Sequence, residues 1–391
     1  MIQCSVALAS AVAFLAMAYP LFDRMPHPYD GVRAVEISLE MQTVINRVGS
    51  PFAFDPPFDR NERLRSATRL FEGQIHGSES VAVRPNGELV MLDKFGYLHR
   101  AHPDTNELYV LNTSALYIGP GRPLGFHVVD QGAALLVCDS LKGLVRVELD
   151  GPRRGDISIL ANSVEGRGPI SYANDLSVAA NGTVYFTSST EGVVALNAPL
   201  GFYDTMASYM LNAVRGDMTG RLLAYDPTTR QTRELMDGLF YANGVAVAPD
   251  QSFVAVVETS AYRVQRYWLT GPRSGDVDTL VEGLPGAPDG ITVASDGNFW
   301  LSLIVPASPI MKYLGPYRWI RQLLSHALHI LSPLVAKRWG CVVKISPAGR
   351  VIDVLYDPDG ERVSMVSAVT EHEGRLFLGN LGGSFVSVLD L

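Results

Sequence analysis

One pattern, recurring six times, restricts what this chain can fold into more than any other feature. An apolar run, a polar turn and a second apolar run appear as SVAVRPNGELVML, FHVVDQGAALLV, LSVAANGTVYFT, VAVAPDQSFVAVV, ITVASDGNFWLSL and AVTEHEGRLFLG. Their turns begin at Asn86, Gln131, Asn181, Asp250, Asp296 and Glu373, in steps of 45, 50, 69, 46 and 77 residues. Short β-branched and aromatic runs at that period are the mark of four-stranded propeller blades. The expectation is therefore an all-β protein, a six-bladed β-propeller over residues 65–391. The two long steps predict insertions, an irregular one around 201–215 and a helical one at 311–337. The last repeat is one strand short, and residues 67–71 can supply it, closing the ring and removing an exposed strand edge.

Composition narrows the function classes. Of 391 residues, 47% are hydrophobic and only 18% charged, which excludes a disordered chain. The balance of 32 Lys+Arg against 40 Asp+Glu gives a net charge of −8 with no basic run, so no nucleic-acid partner is expected. Three cysteines (Cys4, Cys138, Cys341) make neither a disulfide framework nor a CxxC zinc site. Cys138 and Cys341 are read as two buried free thiols, with one bridge between them as the alternative.

Residues 2–22 form an almost unbroken apolar run closed by Asp23 and Arg24. About 20 such residues span a bilayer as a helix, so 1–22 reads as a signal-anchor. A cleaved signal ending near Ala16-Met17-Ala18 and a helix packed on the domain stay open, since no Lys or Arg precedes the run. Residues 23–64, with many prolines, read as a linker. Asn112-Thr113-Ser114 and Asn181-Gly182-Thr183 match the N-glycosylation pattern.

The chemistry emerges from one offset. Seven residues before each turn stand Glu79, Leu124, Asn174, Asn243, Asp289 and Val366. The first strand of each blade lines a propeller's channel, so these positions form one ring, and four of them carry a carbonyl or carboxylate oxygen. Carboxylates concentrated in a partly desolvated channel are costly unless a cation balances them. Donors that are all oxygen favour Ca²⁺ over zinc or iron. Any one of the four read alone is an ordinary turn or strand-start residue; recurrence at one offset favours the metal.

The segments GSESVAV, YANDLSV, FYANGVAVAPD, ETSAYRVQRYWLTGP and LPGAPDGI, with GRLLAYDPTTR and the DPDG…EHEGRLFLGN ending, carry a resemblance. They resemble the strictosidine synthase-like, adipocyte plasma membrane-associated protein-like family of calcium-dependent six-bladed propellers, over about residues 60–391. Gluconolactonase/regucalcin, the paraoxonases and diisopropyl fluorophosphatase are more distant relatives. The resemblance implies catalytic-calcium ligands at Glu79, Asn174, Asn243 and Asp289, an N-terminal hydrophobic anchor, and a domain on the lumenal or extracellular side. Three departures matter. Gly290 follows Asp289 where many relatives have Asn. Residues 363–370 (VSMVSAVT) lack the carboxylate the plant synthase uses, which argues against strictosidine synthesis. The paraoxonase histidine would fall near Leu124.

An open Ca²⁺ site suits hydrolysis of an ester or lactone, the metal polarising the substrate carbonyl. Asp289 is the candidate base or nucleophile and His127 a candidate proton shuttle. Simple strand alternation from Leu124 turns His127 away from the channel. His76 is a weaker candidate on the same ground, and His372 reads as a turn residue. No GxSxG elbow, HExxH motif or Walker loop is present. In 311–337, Trp319, Ile320, Leu323, Leu324, Leu328, Ile330 and Leu331 stand among Arg318, Arg321 and Lys337, with Arg338 just beyond. That stretch reads as a lid, as a helix resting on lipid, or as a helix packed on the propeller's side. The competing functional classes are a non-catalytic, membrane-tethered binding propeller that keeps Ca²⁺, and a strictosidine synthase-like biosynthetic enzyme. The expected location is membrane-anchored or secreted.

Overall fold

The computed structural model describes residues 25–26, 32–48, 57–59, 61–105, 108, 116–308, 310–328 and 338–391. The signal-anchor reading of 1–22, Cys4, the Asn112 sequon and residues 329–337 lie outside them.

Six four-stranded antiparallel sheets follow one another along the chain. The first blade begins with Val81–Val83, the second with Pro123–Val129 and the third with Ala173–Val178. The fourth begins with Ala242–Val247, the fifth with Gly286–Val293 and the sixth with Val366–His372. These six strands line a central channel. The sixth blade is completed by the chain's first propeller strand: Thr68–Leu70 pairs antiparallel with Val386–Asp390, Leu70 opposite Val386. The closure expected at 67–71 is present.

Second strands such as Ala134–Asp139 and Phe253–Glu258 are buried along their whole length, because both faces of each blade pack on a neighbour. The core therefore lies between blades. Phe253 of the fourth meets Phe299 of the fifth with ring centroids 6.0 Å apart, in a cluster that also buries Trp339, Cys341 and Tyr356. Cys138 and Cys341 are free and buried.

Both insertions join a second strand to a third. The second strand runs antiparallel to the first, so each insertion leaves at the end where the channel strands begin. In the third blade it is a hairpin, Leu196–Asn197 with Phe202–Tyr203, followed by the helix Thr205–Arg215. In the fifth its described residues form two short helices, Ile310–Leu314 and Arg318–Ser325, parted at Gly315-Pro316, where Pro cannot continue a helix. Part of the stretch read as linker is folded: the helix Leu39–Asn46, capped by Ser38, lies against the first of these helices. Together these segments form a helical cap. Among the described residues no helix is long and apolar enough to cross a membrane.

Candidate functional site

The channel strands are not regular where the ring residues sit. Their pairing with the second strand slips between Pro123 and Phe126, Ala173 and Leu176, Ala242 and Val245, Pro288 and Ile291, and Val366 and Val369. Such a β-bulge adds one unpaired residue and resets the alternation of side chains. Asn174 thus lines a small cavity on the cap side while its successor Asp175 lines the channel beyond. The same reset brings His127 into the channel, where simple alternation had turned it away.

Glycines let neighbouring strands approach at this level. A Cβ on Gly244 would stand 2.5 Å from the Asp289 carbonyl oxygen, and one on Gly290 2.5 Å from that of Ser367. Hydroxyls stitch the blades at the same height: Thr187 Oγ1 donates to the Asn243 carbonyl (2.7 Å), Ser302 Oγ to that of Ser367 (2.8 Å), and Ser367 Oγ to that of Glu79 (2.6 Å).

Glu79, Asn174, Asn243 and Asp289 all line one buried cavity of about 30 Å³, room for a single ion or water. Each amide is oriented by a hydroxyl from its own blade. Asn174 Nδ2 donates to Ser189 Oγ (2.8 Å) and Asn243 Nδ2 to Thr259 Oγ1 (3.1 Å). Asn174 Oδ1 is then buried with no partner, and an orphaned acceptor costs about 1–3 kcal/mol. Asn243 Nδ2 also donates to Asp289 Oδ1. Burial pushes the Glu79 carboxyl up to about 8, partly opposed by the Arg122 guanidinium. Burial and then Glu79 push Asp289 well above the usual carboxylate range.

Two buried acids and an orphaned carbonyl are what a divalent cation satisfies, so the donor set fits Ca²⁺. Among the described residues no group of three or more His, Cys, Asp or Glu assembles a metal site; two of the four ring side chains are amides.

Leu124 is buried against Tyr172, Val194 and Tyr241, and Val366 is in the core. His127 lines the channel on the far side of the ring from Tyr172 and Tyr241, and is exposed there. It does not touch the four-residue cavity. His76 bonds Ser384 through Nδ1 at 3.0 Å, and His372 ends its strand one residue before the Glu373 turn.

Arg122 escaped the sequence reading. It is 2% exposed, its Nε and Nη1 have no partner, and Glu79 is the charge that most favours its protonated form. A signal existed: two residues before each ring position stand Gly77, Arg122, Tyr172, Tyr241, Ala287 and Ser364. Tyr172 and Tyr241, both from this second ring, join hydroxyls at 2.8 Å above the cavity. Met206, Tyr209, Ile304 and Leu381 complete the wall.

Two family descriptions match this chain, strictosidine synthase over residues 174–272 and strictosidine synthase-like, N-terminal, over 56–100. Adipocyte plasma membrane-associated protein of Rattus norvegicus is 30% identical over 394 residues, covering 92% of this chain and 98% of its own. The chain belongs to the strictosidine synthase-like family. The human adipocyte plasma membrane-associated protein is 31% identical over 356 residues, covering 85% of this chain and 79% of its own. Within the same family, strictosidine synthase-like 13 of Arabidopsis thaliana is 34% identical over 257 residues, 64% of this chain and 60% of that protein. Among solved structures, a gluconolactonase of Xanthomonas campestris superposes with a TM-score of 0.56 at 18% identity, covering 84% of this chain and 91% of its own. A regucalcin of Agrobacterium tumefaciens, described as calcium-binding, gives 0.52 at 13% identity over 82% and 92%. This family member thus has a lactonase-like propeller fold.

Proposed function

We propose that the chain is a calcium-dependent hydrolase of esters or lactones, with Glu79, Asn174, Asn243 and Asp289 holding the ion. The observation that carries this reading is the convergence of the four on one cavity, the two amide nitrogens tied back and one carbonyl oxygen left orphaned. Arylesterase or lactonase activity is consistent with the propeller fold shared with a gluconolactonase, and calcium with the one shared with a calcium-binding regucalcin.

When bound, the ion would polarise a substrate carbonyl and balance the charge that develops on attack. The chain's own groups do the rest. Asp289 spends Oδ1 on Asn243, which leaves Oδ2 to take a proton from water as a general base. Arg122 brings a buried guanidinium beside Glu79, a charge that favours the ionised carboxylate. Met206, Ile304 and Leu381 with the three tyrosines form an apolar, aromatic wall for an acyl or aryl group.

A second reading, a non-catalytic membrane-tethered propeller that keeps the ion for stability, is favoured by the size of the cavity. About 30 Å³, walled in part by Met206 and Tyr209, matches an ion better than a substrate. Hydrolysis of phenyl acetate and a lactone panel, with and without chelator, separates the two. The hydrolase reading expects turnover that disappears with chelator and in Asp289→Ala. Metal bound in a titration, an intact fold and no turnover across the panel would establish the scaffold instead.

A further inference from the structure

The helix Arg318–Ser325 is packed inside out. Its buried side carries Arg321, Gln322 and Ser325, while Trp319 is 69% exposed and Leu323 48% exposed. Residues four apart share a helix face, so Trp319 and Leu323 make one stripe. A helix between a protein core and water shows the reverse polarity.

The polar side is locked in place by named partners. Arg321 donates through Nε to the Gly315 carbonyl (3.0 Å), through Nη1 to that of Val214 (2.7 Å) and through Nη2 to that of Val35 (2.5 Å). Gln322 Oε1 accepts from the Ala34 N–H at 2.6 Å, and Ser325 Oγ donates to the Gln322 carbonyl at 2.6 Å. Turning the helix over would strip a buried guanidinium of these bonds, so the outward apolar stripe is imposed. The adjoining segment extends it with Ile310 at 44%, Tyr313 at 71% and Tyr317 at 52% exposure. Tryptophan and tyrosine mixed with aliphatic side chains suit the boundary between lipid headgroups and acyl chains.

The chain itself says which occupant covers this stripe. Met25 is 2% exposed and clusters with Ala34 and Leu211, with Leu328 of the cap against them. Only Asp23 and Arg24 separate Met25 from the apolar run 2–22. Three residue steps reach at most about 11 Å, so whatever holds that run also holds the cap beside it.

We propose that the outer stripe of the cap lies in the interfacial layer of a lipid bilayer, with Trp319 and Leu323 inserted and the ring-side mouth turned toward the membrane. This does not depend on the hydrolase reading. The test uses the full chain reconstituted into phosphatidylcholine vesicles, either plain or brominated on the acyl chains near the headgroup. The Trp319 signal is the emission of the wild type minus that of Trp319→Phe. Loss of this signal in brominated vesicles alone, with buried Trp300 unaffected and the loss abolished by Leu323→Glu, is the expected result. Undiminished Trp319 emission that aqueous iodide quenches would overturn the proposal. So would undiminished emission with cross-linking of Trp319 segments between two copies, which would assign the stripe to self-association.

Discussion

Glu79 and Asp289 bring two carboxyls into a cavity too small to hydrate both, and this has a measurable pH signature. An unfolded chain releases these protons near about pH 4, whereas the fold holds the Glu79 proton up to about 8. Between those limits the native state binds more protons than the unfolded one, so stability of the metal-free protein falls as pH rises. The Tm of chelator-treated protein should fall across this window, and Glu79→Gln should flatten the fall. Added Ca²⁺ should raise Tm most at the alkaline end; a wild-type Tm independent of pH would deny that both acids are buried together. Arg122 gives a second, separable prediction. Arg122→Met removes a cation beside Glu79, so calorimetric Ca²⁺ affinity should hold or rise; a fall would show that Arg122 supports the ring instead of competing with the ion. The four ring residues were legible because repetition fixes an offset, and an offset picks out one height on the axis. Arg122 was not, because it has no counterpart of its own type in the other five repeats.

Bulges and glycines set the spacing of the channel strands, and neither follows from hydrophobic pattern. The slip at Pro123/Phe126 is why parity misplaced His127. Gly290, which stands where many relatives have Asn, is a packing requirement here, since a Cβ would meet the Ser367 carbonyl oxygen at 2.5 Å. Gly290→Asn should therefore cost about 1–3 kcal/mol in denaturant unfolding and leave Ca²⁺ affinity no better. Tighter binding with an unchanged midpoint would show that the ring can spread to accept a side chain. The cap was half legible. Its apolar residues are countable in the sequence, but the count is the same whether they point in or out, and only the three carbonyls bound by Arg321 decide it. Arg321→Lys, with a smaller donor set, should speed hydrogen exchange in Thr205–Arg215 and leave exchange in the propeller's second strands unchanged. Uniform loss of protection would mean that cap and ring unfold as one unit.

Over the whole molecule the sixfold count, the site of each insertion and the closing strand could all be read in advance, because every blade must bury its faces against the next. Closure is therefore worth testing where the two ends of the propeller chain meet. Leu70, 5% exposed and opposite Val386, packs in the cluster between the sixth and first blades. Leu70→Ala should cost about 2–5 kcal/mol, read as a lower urea midpoint; a cost under about 1 kcal/mol, the range of surface changes, would mean the ring stays shut without that strand's packing. The same seam bears on biosynthesis. The earliest propeller strand to be translated has no partner until Val386–Asp390, the last strand of the sixth blade, has been made. Five blades must therefore wait as an open arc, and a stop codon placed before Val386 would leave the nascent protein dependent on chaperones with nothing to complete it.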